Sequence, residues 1–141
     1  MSDSTIPPCG PERDRLVAEA VGWKEVSDGL GGTLWVDAAN KPTGYYSPNA
    51  MGKAGRPFRP SQSDADALAA LEAWRLVGCR GVVIQSPVDL RDDDGYGPYC
   101  AEWEVTLDYW GGSLVTVSVA PTLADAATAA LVRWRNERSA T

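Results

Sequence analysis

Apolar residues recur every three to four positions in three stretches of this 141-residue chain, which is the period of an amphipathic helix. Each stretch begins with a proline or a serine, residues that suit the first turn or the N-terminal cap of a helix. A glycine follows each of the first two stretches and can end a helix there. The predicted helices are Glu12–Val21, residues 61 or 63 to about 77, and residues 121 to about 137.

The same spacing predicts which side of a helix is buried. In the second helix, Leu68 and Leu71 fall on one side, together with either Trp74 or Leu76. The third helix has a continuous apolar stripe, which indicates that this helix packs against the rest of the protein. The residues of that stripe are Leu123, Ala127, Ala130, Leu131 and Trp134.

A period of two residues is found in the segment 103–109, where apolar and polar residues alternate strictly, as in a half-buried strand. Gly111-Gly112 can form a tight hairpin turn after it. The returning strand, which ends at residue 119, places Val115, Val117 and Val119 on one face. The other predicted strands are Trp23–Val26, Thr33–Asp37, Gly44–Ser47 and Gly81–Gln85, and residues 86–99 are predicted to be a loop.

The order of these elements predicts an α+β fold, in which three helices pack on a small antiparallel or mixed sheet. A chain of this length can form one hydrophobic core, so we expect a single domain at residues 11–138. Residues 1–10 are polar and interrupted by proline, which indicates a flexible N-terminal arm. The polar residues of the 102–109 strand leave one sheet face for solvent or for a partner subunit.

Charge and composition narrow the possible functions. The chain has 13 basic and 19 acidic residues, a net charge of −6, which argues against a broad surface for duplex nucleic acid. It contains no histidine, so Ser-His and Cys-His catalytic pairs and histidine-ligated metal sites are excluded. The three cysteines are far apart in the sequence and form no CxxC motif. We therefore expect no catalytic group, no cofactor and no metal.

Two features bear on location. No apolar run approaches the roughly 20 residues that a membrane-spanning helix needs. The first residues, Met1–Ser4, lack the basic and apolar segments of a secretory signal. We therefore expect a cytoplasmic protein.

One segment departs from the acidic character of the chain. The loop at residues 51–59 holds three basic residues, contains two glycines and leads into the second helix. The start of a helix attracts anions, and nearby aromatic rings could stack on a base. The alternative is a solvated loop whose charges serve solubility. The predicted ligand-binding residues are Tyr45, Tyr46, Lys53, Arg56, Phe58 and Arg59, with Arg135 contributed by a neighbouring chain.

Phe58–Ser61 leads into an alanine-rich helix at Asp64–Leu71, and a second alanine-rich segment spans Ala120–Ala127. Together with the strand at Trp103–Val105, this arrangement resembles the phage ABA sandwich domain family over roughly residues 12–135. The resemblance implies a small phage protein with helices on a sheet, and it supplies no catalytic motif. The loops at residues 38–60 and 87–99 are longer than the pattern of that family and could carry a function of this protein's own.

Together these features predict a non-enzymatic binding protein, such as a phage counter-defence sponge that captures a nucleotide-derived immune signal. Its expected partners are a small anionic ligand such as a cyclic nucleotide, and further copies of the same chain. A second hypothesis is a protein–protein interaction module that inhibits a host protein, or a phage accessory protein, and a metal-dependent hydrolase comes third. The contacts of the second hypothesis would come from Asp89–Asp94 and from Glu102, Glu104 and Asp108. Separately, Trp110 with Tyr109 at the end of the hairpin could form an oligomer surface.

Overall fold

A computed structural model describes residues 6–27, 29, 33–46, 56–78, 81–108 and 115–139, with the backbone alone at residues 56, 77, 78, 138 and 139. The elements within these ranges follow the predicted order closely. They are α1 (Pro11–Ala20), β1 (Lys24–Ser27), β2 (Thr33–Val36), β3 (Pro42–Tyr46), β4 (Arg56–Pro57), α2 (Asp64–Gly78), β5 (Gly81–Gln85), β6 (Val88–Asp89), β7 (Tyr99–Cys100), β8 (Trp103–Asp108), β9 (Val115–Ala120) and α3 (Leu123–Ser139).

The strands of the described ranges form two larger sheets and a two-stranded ribbon. The N-terminal sheet has the order β1-β2-β3-β4, with β3 and β4 parallel and the other pairs antiparallel. The C-terminal sheet is antiparallel and has the order β5-β8-β9, and β6 pairs with β7 inside the segment predicted to be a loop. The α+β class is therefore confirmed, with the strands divided between separate sheets.

The core lies where α3 meets the C-terminal sheet and the other two helices. α3 packs on β8 and β9 and also contacts α1 and α2. Many of its buried residues are alanines, which allow a close approach of the helix to its neighbours. Trp74 of α2 is completely buried and meets Trp134 of α3 edge to face, with ring centroids 5.6 Å apart and an interplanar angle of 86°.

The buried side of α2 differs in part from the predicted one. Leu71 and Trp74 are buried, but Leu68 is 46% exposed, so its predicted burial is wrong. Leu76, the alternative to Trp74, is also exposed. Ala67 and Ala70 complete the buried side in place of the two leucines. α2 therefore turns small residues inward, and its large apolar contribution to the core is concentrated in Leu71 and Trp74.

The outer surface of the C-terminal sheet combines exposed valines with polar side chains. Val115, Val117 and Val119 share one face of β9, as predicted, and this face is exposed, whereas Thr116 and Ser118 are buried. The pairing register brings side chains of β5 and β8 to the same outer side. We call this surface the valine face; it consists of Val83, Val115, Val117 and Val119 with Glu104, Thr106 and Asp108.

The buried hydroxyl of Ser118 has no hydrogen-bond partner within the described ranges, whereas the neighbouring Thr116 hydroxyl donates to Glu137 Oε1 at 3.1 Å. We expect Ser118→Ala to raise the free energy of unfolding by about 1 kcal/mol, because it removes an unsatisfied buried group. Thr116→Val should lower the free energy of unfolding by about 1 kcal/mol, because it removes a hydroxyl that is hydrogen-bonded to Glu137. Urea denaturation followed by circular dichroism measures both, and a destabilised Ser118→Ala variant would contradict the prediction.

The N-terminal ends of the helices meet in a buried polar network. Arg13 of α1 donates from Nη1 to Asp125 Oδ1 at 2.6 Å and to Thr128 Oγ1 at 3.1 Å, both in α3. Asp14 Oδ1 accepts from the backbone N–H of Ser61 at 2.8 Å, just before α2. Asp64 Oδ1 accepts from the backbone N–H of Ala124 at 3.1 Å. These bonds fix α1, α2 and α3 relative to one another at one end.

Part of the predicted N-terminal arm belongs to this network. The backbone oxygen of Pro7 accepts from Arg13 Nε at 2.7 Å, and the backbone N–H of Gly10 donates to Ser61 Oγ at 2.9 Å. Ile6 packs against the hydrophobic core. Residues 6–10 are therefore held to the domain, and residues 1–5 lie outside the described ranges.

Candidate ligand-binding cleft

A cleft of about 470 Å³ lies between the N-terminal sheet and α2. Its lining is mostly apolar, and it comes from three elements that are distant in the sequence. This combination of shape and composition is typical of small-molecule sites, whose volumes are about 300–1,000 Å³. The lining residues are Val21, Trp23, Thr43 and Tyr45, the turn at Asp37, Ala38 and Ala39, and Ala69, Ala73 and Leu76 of α2.

One wall of the cleft is aromatic. Trp23 and Tyr45 line it and stack on each other, with ring centroids 5.9 Å apart and an interplanar angle of 24°. Phe58 supports both rings from the core, at 4.7 Å from Trp23 and 4.9 Å from Tyr45. Because Phe58 is completely buried, its ring holds the wall in place and is covered by protein. Trp23 is buried, with 8% of its surface exposed, and Tyr45 is half-buried, so the packing around both rings holds this wall in place.

A hydrogen-bonded turn forms one end of the cleft. Asp37 Oδ1 accepts from the backbone N–H groups of Ala39 and Lys41, both at 2.9 Å. Asn40 has a φ of 64°, a left-handed conformation that asparagine adopts more readily than most residues. The Thr43 hydroxyl donates to the backbone oxygen of Trp35 at 2.8 Å. The turn is therefore preorganised, and its carboxylate already has two hydrogen-bond donors.

The predicted basic segment reaches the aromatic wall through strand pairing. In the parallel pair β3–β4, Tyr45 lies opposite Arg56 and Tyr46 lies opposite Pro57. The backbone N–H of Phe58 also donates to the backbone oxygen of Tyr46 at 3.1 Å. The structure thus brings Tyr45 and Tyr46 next to the segment predicted to hold the anion.

The basic side chains of this segment are only partly described. Arg59 is exposed, and Tyr46 is half-buried. The prediction for Lys53 lies outside the described ranges, and so does the side chain of Arg56. Of the three basic residues predicted for this segment, the structure therefore describes the side chain of Arg59, and that side chain is exposed to solvent.

The start of α2 offers fewer free donors than the sequence suggests. The backbone N–H of Arg59 donates to Asp66 Oδ2 at 2.9 Å, and that of Ser61 donates to Asp14 Oδ1 at 2.8 Å. The backbone N–H of Asp66 donates to Ser63 Oγ at 3.3 Å. Because these donors are satisfied by the protein's own carboxylates and hydroxyl, an anion near α2 would depend on basic side chains.

Arg135 is engaged within its own chain. Its Nη2 donates to Glu19 Oε1 at 3.0 Å, which joins α3 to α1, and Glu19 also pairs with Arg15 at 3.0 Å. Arg133, also in α3, donates from Nη1 to the backbone oxygen of Val117 at 2.6 Å. A role for Arg135 in a neighbouring chain's site would require it to leave Glu19.

The acidic loop is organised by local hydrogen bonds. Asp92 Oδ1 accepts from the backbone N–H groups of Asp94 and Tyr96, both at 2.9 Å. Arg91 pairs with Asp89 at 2.8 Å and lies over the Tyr99 ring at 3.9 Å, and its hydrogen bond lowers the pKa of Asp89. Within the described ranges, no group of three or more cysteine, aspartate or glutamate residues is arranged to hold a metal ion.

Two cysteines are described as free thiols, Cys9 and Cys100. Cys9 is exposed, but partial desolvation of its thiol raises the pKa of Cys9, so its thiolate form is disfavoured. The Cys100 thiol donates to the backbone oxygen of Glu102 at 3.3 Å. Neither thiol lines the cleft.

Sequence reasoning found Tyr45 and missed most of the cleft. Trp23 and Leu76 were recognised as apolar residues of a strand and a helix, and nothing in their local pattern joins them. Ala69 and Ala73 line the cleft, but they are ordinary residues of an alanine-rich helix, so the sequence does not distinguish them from its other alanines. A cleft between a sheet and a helix becomes visible when the two elements are packed together.

No protein-family model matches the chain, and no curated protein is significantly similar to it. The resemblance to the phage ABA sandwich domain family therefore stays a prediction. In the described part of the chain, none of the helices combines the length and apolar character required to cross a membrane.

Proposed function

We propose that this chain is a non-enzymatic binding protein whose cleft takes the flat, apolar part of a small anionic molecule. The observation that carries the proposal is the aromatic wall of Trp23 and Tyr45, with the basic β4 segment paired directly beside Tyr45. In its narrower form, the ligand is a nucleotide-derived immune signal. The protein would then be a phage sponge that acts in the host cytoplasm.

The distribution of charge around the cleft favours one orientation of the ligand. The turn at Asp37 carries a carboxylate, and an anion is repelled there. Thr43 lies near that turn, and Tyr45 lies two residues further along β3, about 7 Å away at 3.4 Å per residue. The anionic group of the ligand would therefore point past Tyr45 toward β4 and the segment that continues to the exposed Arg59.

The lining favours binding over catalysis. Of the lining residues, Asp37 and Tyr45 have titratable side chains. Asp37 is held by two backbone donors, and the Tyr45 ring is stacked on Trp23. Both side chains thus have structural roles, and a sponge requires tight binding without a catalytic group.

A thermal-shift panel of cyclic dinucleotides, cyclic trinucleotides and ADP-ribose, with inorganic phosphate as the control probe, tests the proposal. A ligand at a free concentration about a hundredfold above Kd should stabilise the protein by about 2.7 kcal/mol. Inorganic phosphate should give no shift, because it lacks a ring. If no nucleotide shifts the unfolding temperature, the proposed ligand class is wrong.

Two leucines of α2 provide a matched pair of variants for the same panel. Leu76 lines the cleft and Leu68 does not, and both are exposed. We expect Leu76→Glu to weaken binding of a nucleotide that is active in the panel at least about tenfold. The new carboxylate would replace an apolar contact in the cleft and would repel the anionic ligand. Leu68→Glu should leave the Kd within about twofold. Arg59→Glu should also weaken binding, and equal effects of the two leucine variants would contradict a ligand in this cleft.

The valine face favours a second candidate function, a protein–protein interaction module. Its four exposed valines flank two carboxylates, Glu104 and Asp108, on one open surface. Tyr96 and Tyr99 are also exposed beside the acidic loop, whereas Tyr109 and Trp110 lie outside the described ranges. Such a surface fits a basic partner with apolar side chains. Under this function, no nucleotide of the panel would stabilise the protein.

A further inference from the structure

β5 forms an edge of the C-terminal sheet. It pairs with β8 on one side, and among the described residues no strand pairs with its other side. An edge strand presents unpaired backbone N–H and C=O groups to any strand that approaches. Natural proteins therefore protect such edges with charged residues, proline, short strands or covering side chains.

The other edges of the two larger sheets are protected in the described part of the chain. At the edge of β9, Arg133 Nη1 donates to the backbone oxygen of Val117 at 2.6 Å. The edge strand β1 carries two charged residues, Lys24 and Glu25. The edge strand β4 is two residues long and includes Pro57, which has no N–H to donate.

Among the residues that the structure describes, β5 shows none of these protective features. Its sequence, Gly81–Gln85, contains no charged residue and no proline. Val83 is 60% exposed on the outer side of the sheet, and Ile84 is 38% exposed on the side that faces the helices. A strand that is apolar on both faces is typical of a sheet in which both faces are covered. β5 is therefore built like an interior strand but lies at an edge.

We infer that β5 pairs with β5 of a second copy of this chain, antiparallel, about a two-fold axis near Val83. The two three-stranded sheets would then form one six-stranded sheet, with Gly81 of each copy opposite Gln85 of the other. A two-fold interface uses the same surface on both copies, and an antiparallel strand is complementary to itself.

Charge favours a second copy at this edge over a copy stacked on the valine face. The chain has a net charge of −6, and copies repel one another wherever carboxylates face each other. Stacking of two valine faces would bring Glu104 and Asp108 into one interface. At the β5 edge, no charged side chain of the strand opposes the approach, so the two strands can pair their backbones and bring Val83 beside Val83 of the other copy without this cost.

Two valines of equal chemistry and similar exposure provide the test. Val83 lies at the open edge, and Val115 lies on the same face at the edge that Arg133 covers. Light scattering with size exclusion should give twice the 15.1 kDa of one chain. Val83→Lys should raise the dimer dissociation constant at least about tenfold, because two lysines would meet across strands about 5 Å apart. Val115→Lys should leave that constant within about twofold.

A cross-linking experiment identifies the pairing directly. In a background with Cys9, Cys79 and Cys100 replaced by serine, Val83→Cys should form a covalent dimer with a short bismaleimide at least about tenfold faster than Val115→Cys. The mass of one chain at every concentration would overturn the inference. So would a dimer that Val83→Lys leaves intact, aggregates without a discrete dimer, or equal cross-linking rates for the two cysteine variants.

Discussion

Replacement of Asp14 by alanine should lower the free energy of unfolding by about 1–3 kcal/mol, because it leaves a buried backbone N–H without an acceptor. Asp14 is 2% exposed, and its Oδ1 accepts from the backbone N–H of Ser61 at 2.8 Å. This bond joins α1 to the segment that leads into α2. Urea denaturation followed by circular dichroism measures the loss.

Asp14→Asn is the matched variant, because asparagine keeps an acceptor oxygen and removes the charge. Burial raises the pKa of Asp14, although the hydrogen bonds from Ser61 act in the opposite direction. In the wild type, the folded state therefore holds this proton more tightly than the unfolded state does. The free energy of unfolding should fall as pH rises from the ordinary pKa of an aspartate through its raised value in the folded protein.

Asp14→Asn should lose this part of the pH dependence and should be more stable than Asp14→Ala at neutral pH. Denaturation curves of the three proteins across that range measure both effects. If asparagine and alanine prove equally destabilising, Asp14 does not act through its acceptor oxygen. If wild type and Asp14→Asn show the same pH dependence, the raised pKa is wrong.

Replacement of Trp74 by alanine should lower the free energy of unfolding by about 3–5 kcal/mol, the range found when a buried tryptophan is truncated. Trp74 is completely buried, and its ring packs edge to face against Trp134. The substitution would leave a large cavity between α2 and α3. Because small domains have a total stability of about 5–15 kcal/mol, such a loss could approach unfolding.

Leu76→Ala is the control for the Trp74 variant. Leu76 lies two residues further along the same helix and is 65% exposed, so its truncation should cost about 0.5 kcal/mol or less. The comparison separates loss of core packing from a change in helix propensity, because both variants introduce the same residue into α2. Similar losses for the two variants would show that Trp74 does not carry the α2–α3 contact.

Local patterns predicted the elements well. Strict alternation in the segment 103–109 predicted β8, and the 3.6-residue period predicted α1, α2 and α3 to within a few residues. These signals succeed because a side chain's direction relative to its own helix or strand depends on nearby backbone geometry. β4, β6 and β7 lie in segments predicted to be loops and were missed, because two-residue strands are too short to show a period.

Burial was harder to predict than secondary structure. Leu68 is more hydrophobic than Ala67, yet Ala67 faces the core and Leu68 faces solvent. On β9, Thr116 and Ser118 are buried while the valines are exposed. In both cases, a period shows which residues share a side, but the partner element decides which side is covered.

The candidate site was likewise predictable only in part, because some of its features are local and others depend on tertiary packing. Tyr45, Tyr46 and the basic segment were predicted from composition, and strand pairing brings their backbones together. The cleft depends on the docking of α2 against Trp23 and the Asp37 turn, which are far from it in the sequence. One of the hydrogen bonds that occupy the start of α2 also involves a distant residue, Asp14.

The sequence by itself determined the helices, most strands, the α+β class and the acidic, histidine-free chemistry of this protein, because these properties depend on neighbouring residues or on composition. Only the tertiary structure decided which faces are buried, where the cleft opens and which strand edge is left unprotected. Those properties depend on contacts between elements that are distant along the chain, and the free energy of such contacts leaves no periodic signal in either element alone.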